Sequence, residues 1–173
     1  MKKYFDYINL LLDEIAFIDE YINMDQKIVA RNRKAAHDFF LFEKFEAGIV
    51  LQGSEIKSIR NGQISIAEAY VQIDGRQSYL IDAHIAPYDH SGIYNHDPKR
   101  PRKLLLHKNE IIHLWNEIRR KGITLIPTLV YLKNGRAKVE IAIAKGKKLF
   151  DKRQEIAKRD TKREINRNFR RRG

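Results

Sequence analysis

Few side chains in this sequence have the type and spacing that catalysis requires. The chain contains no cysteine, which excludes a thiolate nucleophile, an iron–sulfur cluster and a thiolate zinc site. Residues 48–55 repeat the glycine spacing of a phosphate-binding loop, but Ser54 and Glu55 stand where that loop needs its lysine and hydroxyl. Ser91 precedes a glycine but lacks the Gly-x-Ser-x-Gly turn of a serine hydrolase. We therefore expect neither a nucleotide loop nor a serine nucleophile.

Histidines and carboxylates leave two weaker possibilities. Three histidines recur every six residues between His84 and His96, but this spacing gives no metal-ligand geometry without a helix to align them. His37 paired with Glu46 or Glu55 would supply a general acid and base for RNA cleavage or modification. We expect no catalytic residue, no metal and no cofactor, and we keep a nuclease or RNA-modifying enzyme as a third hypothesis.

Positive charge is the clearest functional signal in the sequence. Lysine and arginine number 34 against 22 acidic residues, a net charge of +12, which indicates a polyanionic partner. Residues 99–103 form a dense basic loop, Lys-Arg-Pro-Arg-Lys. We expect Pro98 and Pro101 to keep it extended, with its cations in solvent and without an acidic partner, so that it can follow a phosphate backbone. A general single-strand RNA-binding or ribosomal protein would carry the same charge and is the second hypothesis.

Two carboxylates and a group of aromatic residues accompany these bases. Glu46 and Glu55 are either exposed and irrelevant, or they accept hydrogen bonds from a neighbouring lysine or arginine, from a nucleobase amino group or from a 2′-hydroxyl. Lys57 and Arg60 follow Glu55 closely and suit phosphate contacts. The four phenylalanines within residues 39–45 could stack on bases, although strand alternation predicts that most of them are core.

Short apolar runs and turn signals predict the element that must position these groups. Residues 25–144 alternate strand and turn patterns, and Asn134-Gly135 is a strong hairpin signal. A second turn is expected at Asp74-Gly75, and helices are expected over residues 53–60 and 108–120. Six strands and two helices in this length favour a small barrel of the OB type, with a two-sheet sandwich as the alternative. The expected strands span residues 37–42, 46–51, 68–73, 77–84, 124–132 and 137–144.

The two ends of the chain differ from this middle part. Residues 1–24 carry two Lys and five acids and show the periodicity of an amphipathic helix, which would dock on its own domain or on a partner chain. Met24 is also a plausible start of translation. Residues 145–173 carry 13 bases against 4 acids, and we expect this tail to be disordered alone and helical on a polyanion. No apolar run approaches the roughly 18 residues of a membrane-spanning helix, and the absence of cysteine fits a reducing compartment, so we expect a cytoplasmic protein.

Five blocks of sequence, in one order, carry a specific resemblance. They are 27–34 (Lys-Ile-Val-Ala-Arg-Asn-Arg-Lys), 45–51 (Phe-Glu-Ala-Gly-Ile-Val-Leu), 53–60 (Gly-Ser-Glu-Ile-Lys-Ser-Ile-Arg), 97–106 (Asp-Pro-Lys-Arg-Pro-Arg-Lys-Leu-Leu-Leu) and 144–153, where Ala-Lys-Gly-Lys-Lys is followed by Asp-Lys-Arg. From about Lys27 to its end, the chain resembles the SmpB (SsrA-binding protein) family. Residues 1–24 lie outside the pattern, and their role stays open.

The resemblance implies a bacterial RNA-binding adaptor of trans-translation with no chemistry of its own. Such a protein binds the tRNA-like domain of transfer-messenger RNA (tmRNA) and delivers it to the A site of stalled ribosomes, which allows rescue and tagging of the nascent peptide. It would act as a monomer, with elongation factor Tu in the delivery complex. Its basic tail would become helical in the decoding centre and the vacant mRNA channel.

The resemblance and the charge pattern together give the candidate residues. For binding tmRNA they are Asn32, Arg33, His37, Glu46, Glu55, Lys57, Arg60, Lys99, Arg100, Arg102 and Lys103. For the tail in the decoding centre they are Lys145, Gly146, Lys147, Lys148, Phe150, Asp151, Lys152 and Arg153. Phe150 departs from the His or Tyr common in the family, so it would keep base stacking but lose a side-chain hydrogen bond.

Overall fold

The computed structural model describes residues 26–89 and 95–148, which form nine strands and three helices. The elements, in chain order, are β1 (Gln26–Arg31), α1 (Arg33–Asp38), β2 (Phe39–Ile49), α2 (Gly53–Arg60), β3 (Ile64–Ser65), β4 (Tyr70–Asp74), β5 (Gln77–Ile81), β6 (His84–Ile85), β7 (Arg102–Leu105), α3 (Lys108–Ile118), β8 (Ile123–Lys133) and β9 (Arg136–Gly146).

Six of these strands close into an antiparallel barrel. The order around it is β8-β4-β5-β7-β2-β9, and β9 returns to pair with β8. Because β8 is 11 residues long, its first half pairs with β4 at Leu125 while its second half holds β1, from Leu129 to Lys133. Strands β3 and β6 form a separate two-stranded ribbon. The predicted OB-type barrel is confirmed, and the two-sheet sandwich is wrong.

The Asn134-Gly135 turn sets the register of the two longest strands. Both residues have positive φ, 50° and 72°, as a two-residue hairpin turn of this kind requires, and Lys133 pairs with Arg136 across it. The other predicted turn is displaced by one residue, because Asp74 pairs with Gln77 and leaves Gly75 and Arg76 in the turn. In both hairpins the glycine supplies the left-handed conformation that other residues rarely adopt.

Alternating side chains fill the barrel. The core of fully or nearly fully buried residues includes one or more side chains from each of the six barrel strands, and Leu114 of α3 packs into the same cluster. A second, smaller cluster joins Ala35 of α1 to Ile126 and Ala144 on the outside of the β8–β9 pair. The barrel therefore provides a rigid frame, and α1 is attached to its outer surface close to the place where β9 ends.

Several boundaries differ from those expected. Residues 37–42 were expected to be a strand, but His37 lies in α1, and one continuous strand, β2, covers 39–49. The pattern also missed β1, and β9 continues two residues past the predicted start of the tail, to Gly146. The helices over 53–60 and 108–118 agree with expectation apart from two residues at the end of α3. The predictions for residues 1–24 and for the tail beyond 148 lie outside the described residues.

The described residues, 26–89 and 95–148, contain three helices of 6 to 11 residues. None of the helices found there combines the length and the hydropathy that crossing a bilayer requires.

Candidate nucleic-acid interface

A buried ion cluster joins α2 to the predicted basic loop. The Nε atoms of Arg100 and Arg102 each donate to Oε1 of Glu55 at 2.9 Å, and Arg100 Nη2 also donates to Oε2. Glu55 and Arg102 have no exposed side-chain surface, and Arg100 retains 26 %. Arg102 also donates to the carbonyl oxygens of Ala83, Asp97 and Pro98, so that its guanidinium is enclosed by hydrogen-bond acceptors. The cluster fixes the 97–102 segment against α2 and β5–β6.

This cluster corrects the prediction made for residues 99–103. The loop does have an acidic partner, Glu55, and its four cations do not all lie in solvent. The physical reason is that Arg102 begins β7, where alternation turns its side chain inward, while Lys103 points outward. Lys99 and Lys103 are exposed and keep their suitability for phosphates. For Glu55 and Arg102 the structure does not support direct contact with RNA.

The electrostatics of Glu55 follow from these contacts. Burial alone would raise the pKa of its carboxyl, but hydrogen bonds from Arg100, from the backbone N–H of Gln52 and from Arg102 outweigh burial, and the pKa lies below its ordinary value. The Gln52 N–H to Glu55 distance is 2.7 Å, so the same carboxylate also caps the first turn of α2. Glu55 therefore stays charged, and its carboxylate joins the first turn of α2 to Arg100 and to Arg102 at the start of β7.

The outer face of α2 carries Lys57 and Arg60, and both are exposed. The ammonium of Lys57 lies 5.2 Å from the centre of the Tyr88 ring, a cation–π contact. Arg60 Nη2 donates to the carbonyl oxygen of Gly135 at 3.3 Å, which links α2 to the tip of the β8–β9 hairpin. Arg60 therefore stands beside a basic hairpin, and both cations retain donors for phosphate oxygens.

Glu46 is held as a fixed acceptor by neighbouring strands. The Tyr131 hydroxyl of β8 donates to one carboxylate oxygen, and Lys138 Nζ of β9 lies 3.0 Å from the other. The hydrogen bond from Tyr131 lowers the pKa of Glu46, and Lys138 adds to that effect against the opposing effect of partial burial. Burial and the facing carboxylate raise the pKa of Tyr131, so its hydroxyl stays a donor. With 41 % of its side chain exposed, Glu46 can still accept from a ligand.

Tyr131 and Lys138 were not among the predicted site residues. Their signal was present, because counting outward from the Asn134-Gly135 turn makes them directly opposed partners on adjacent strands. A groove of about 560 Å³ beside them runs between α2 and the hairpin; its lining includes Ile49, Leu105 and Lys138.

Asn32, Arg33 and His37 lie around α1, with different environments. Asn32 is buried at 7 % exposure; its side chain accepts from the Ala35 N–H at 2.9 Å and donates to two carbonyl oxygens, those of Ile66 and Pro127. It is the N-cap of α1, so the structure does not support its direct contact with RNA. Arg33 is exposed. His37 is half-buried, and its Nδ1 lies 2.9 Å from Oδ1 of Asp38.

The structure does not bring together the proposed acid–base pairs. His37 bonds Asp38 at one end of β2, whereas Glu46 lies seven residues beyond the start of that strand, about 23 Å along it. Glu55 is sealed in its ion cluster. Both ring nitrogens of His96 also have hydrogen-bond partners: Ser54 Oγ lies 2.9 Å from Nδ1, and the Ile85 carbonyl oxygen lies 3.1 Å from Nε2.

The start of the tail is fastened to the barrel. Lys145 and Gly146 belong to β9 and pair with Phe40 and Phe39 of β2. Lys147 donates its N–H to the Asp38 carbonyl oxygen at 2.9 Å and its Nζ to that of Ala36 at 2.8 Å. Lys148 is exposed. The other candidate tail residues, Phe150, Asp151, Lys152 and Arg153, lie outside the described residues.

Comparisons with known proteins give one consistent result. The family model described as "SmpB protein" matches residues 29–171. An SsrA-binding protein of Desulforudis audaxviator is 52% identical over 140 residues, 81% of this chain and 92% of that protein. One from Caldanaerobacter subterraneus subsp. tengcongensis is 54% identical over 143 residues, 83% of this chain and 90% of its own length.

A solved structure agrees with these relatives. A chain from the structure described as "tmRNA-SmpB: a journey to the center of the bacterial ribosome" is 41% identical, with a TM-score of 0.61, and the match covers 70% of this chain and 85% of that one. The family match over residues 29–171 spans the barrel strands, the Glu55 motif and the basic tail as far as residue 171. On the extent of the family match and the identity to these relatives, this chain belongs to the SmpB family.

Proposed function

We propose that this chain is the RNA-binding adaptor of trans-translation. It binds the tRNA-like domain of tmRNA, delivers it to the A site of stalled ribosomes, and so allows rescue and tagging of the nascent peptide. The observation that carries the proposal is the family match over residues 29–171, which includes the barrel and the tail together. Elongation factor Tu would join the delivery complex, and the protein would act as a monomer in the cytoplasm, where ribosomes are.

The exposed cations of the barrel supply affinity for tmRNA. Lys57, Arg60, Lys99 and Lys103 come from α2, the 97–102 segment and β7, and all four are exposed. Contacts of this kind read the shape and backbone of a folded RNA and weaken with salt. Arg33 would extend the same surface from α1.

Glu46 supplies selectivity that charge attraction cannot. Its carboxylate is oriented by Tyr131 and Lys138, so it can accept from a 2′-hydroxyl or from a base amino group in one fixed direction. An RNA that offers no such donor would instead meet a negative charge, which is unfavourable. Glu46 therefore favours one docked orientation of the tRNA-like domain.

Glu55, Arg102 and Asn32 act by positioning. Glu55 and Arg102 hold the segment that presents Lys99 and Lys103, while Asn32 holds α1, which presents Arg33 and His37. Their hydrogen bonds are directed at backbone and at each other, which is how a basic surface keeps a defined shape despite repulsion between its cations.

The tail and the N-terminal segment are assigned separate roles. Residues 145–173 would enter the decoding centre and the vacant mRNA channel and become helical there. Residues 1–24 form an extension that precedes the family match, for which an amphipathic helix remains the expectation. Intact-mass measurement of the native protein shows whether residues 1–23 are synthesised.

We also propose that the chain carries out no chemistry. The separation of His37 from Glu46 and the enclosure of Glu55 support this. Incubation of the full chain with tmRNA should leave the RNA intact and unmodified by gel and mass analysis. Cleavage that depends on His37 would contradict the proposal.

A binding comparison tests the adaptor function. The full chain should bind the tRNA-like domain at least tenfold more tightly than an unstructured oligonucleotide of equal length at physiological salt. Glu46→Gln should weaken the specific complex about tenfold, as expected for loss of a charge-assisted hydrogen bond, and should leave binding of the oligonucleotide unchanged or slightly tighter, because a repelling charge is removed. The matched control is Glu43→Gln, an exposed carboxylate paired with His113. Equal affinity for both RNAs would favour a general single-strand RNA-binding protein.

A truncation separates the two RNA partners. The chain should be cut after Lys148, because β9 continues to Gly146 and Lys147 makes two hydrogen bonds to the α1 region. The shortened protein should bind the tRNA-like domain within about twofold of the full chain but should not support tagging on stalled ribosomes. Equal tagging with and without residues 149–173 would contradict the tail's role.

A further inference from the structure

Two exposed phenylalanines stand on β2 close to the start of the tail. Phe40 is 42 % exposed and Phe42 is 55 % exposed, the largest exposed fraction of any aromatic side chain among the described residues. Phe39 and Phe45 on the same strand are half-buried, as the alternating pattern predicts. Phe40 and Phe42 are exposed because they occupy the alternate, outward-facing positions of the same strand.

Two lysines lie beside Phe40. Lys145 is the direct cross-strand partner of Phe40, so the two side chains are neighbours on one face of the sheet. The Lys147 ammonium lies 5.1 Å from the centre of the Phe40 ring. We call the set Phe40, Phe42, Lys145 and Lys147 the aromatic–lysine patch. The pairing of Phe40 with Lys145 and the bond from the Lys147 N–H to the Asp38 carbonyl oxygen fix the backbone of three of its members, while Phe42 lies within the register shift between Leu41 and Lys44.

The chemistry of the patch suits an unpaired nucleotide. Aromatic faces stack on any base, and lysines beside them neutralise the adjoining phosphates. Because the Lys147 ammonium already covers one face of Phe40, Phe42 is the ring that takes the base, and Phe40 holds the cation beside it. The lysines complement a phosphate chain, which an apolar peptide partner would not provide.

The position of the patch identifies the RNA. Phe40 and Phe42 lie six and four residues along β2 from Glu46, about 20 Å and about 13 Å, so the patch is separated from Glu46 along the strand. In sequence, Lys147 of the patch is followed directly by Lys148, the last described residue before the rest of the tail. We infer that the aromatic–lysine patch is a stacking site for an unpaired nucleotide of small-subunit ribosomal RNA; this rests on the proposed function, in which the tail enters that subunit.

Paired substitutions at Phe42 test the inference. Phe42→Leu keeps an apolar side chain but removes the ring, and Phe42→Trp keeps a ring. With the full chain and tmRNA, Phe42→Leu should weaken binding to stalled ribosomes about tenfold, while Phe42→Trp should stay within about twofold of the wild type. Affinity of both variants for the isolated tRNA-like domain should be unchanged. Trp115→Leu, at a 40 % exposed aromatic on α3, is the matched control and should not alter ribosome binding.

Base-specific chemical probing gives a second readout. At least one small-subunit nucleotide should be protected by the wild type and by Phe42→Trp but remain reactive with Phe42→Leu. Urea midpoints should be similar for all variants, because position 42 is more than half exposed.

Three results would overturn the inference while leaving the proposed function intact. They are unchanged ribosome affinity of Phe42→Leu, failure of Phe42→Trp to retain affinity, or a loss confined to the tRNA-like domain, which would move the patch to the tmRNA side. If the wild type itself failed to bind stalled ribosomes, the proposed function would fall and the inference with it.

Discussion

Neutralising Glu55 tests whether the buried ion cluster holds the RNA-binding surface in shape. Glu55→Gln preserves the size of the side chain and one carbonyl oxygen but removes the charge that Arg102 Nε bonds at 2.9 Å. Because neither Glu55 nor Arg102 has exposed side-chain surface, the arginine cannot regain solvation without local unfolding. Removing one partner of such a buried pair costs about 3–5 kcal/mol. That is a large share of the roughly 5–15 kcal/mol by which a domain is stable.

Urea unfolding measures this loss. The transition should be followed by far-ultraviolet circular dichroism and by fluorescence of Trp115, the single tryptophan. The free energy of unfolding of Glu55→Gln should fall by about 3–5 kcal/mol in urea, and thermal unfolding should show a melting temperature lower by about 10–20 °C. Glu43→Gln, which removes the exposed partner of His113, should change the free energy of unfolding by less than about 0.5 kcal/mol. The double variant Glu55→Gln/Arg102→Gln should lose less free energy of unfolding than the sum of the losses in the two single variants.

The same cluster predicts a pH dependence with a definite sign. The pKa of Glu55 is lower in the folded protein than in the unfolded chain, so its stabilisation is complete above the unfolded pKa and is lost as pH falls through the folded pKa. The difference in stability between wild type and Glu55→Gln should therefore shrink below about pH 4. A Glu55→Gln protein within 1 kcal/mol of the wild type at neutral pH would refute the reasoning.

Three further predictions follow from the described contacts. Asn32→Ala removes the cap of α1 and leaves two buried carbonyl oxygens without their donor. It should therefore lower the free energy of unfolding in urea by about 2–3 kcal/mol, whereas Asn116→Ala, at an exposed position, should have little effect. Tyr131→Phe removes the main cause of the lowered pKa of Glu46, so a carboxyl NMR titration should show that pKa moving upward; an unchanged value would contradict the hydrogen bond. Lys103→Gln should reduce the slope of log affinity for RNA against log salt by about one, and an equal slope would place Lys103 away from phosphate.

The parts of the fold that the sequence predicted are those with local causes. The Asn134-Gly135 turn dictates its own backbone conformation, and from it the register of β8 and β9 follows by counting, down to the pair Tyr131 and Lys138. The predicted bounds of helix α2 agree with the structure, in which the first turn carries its own capping carboxylate, Glu55.

The parts that were missed have causes distant in sequence. Helix α1 is six residues long, too short for a helical period to be recognised, and it exists because Asn32 bonds Ile66 and Pro127, which are 34 and 95 residues away. Arg102 meets Glu55 across 47 residues. A pattern can show that a loop is basic, but only the fold decides which of its cations are paired internally.

That distinction changes what the net charge says about RNA binding. A formal +12 treats every cation as available to phosphate, yet Arg102 is enclosed and Arg100 shares its carboxylate. These arginines contribute shape, and the cations that release counterions on binding are the exposed lysines and arginines around them. If so, mutating Arg102 should weaken tmRNA binding chiefly by loosening the surface, with the salt slope retained, whereas mutating Lys103 should change the slope itself. The slope therefore separates cations that contact RNA from cations that position the contact, which neither affinity nor charge counting can do alone.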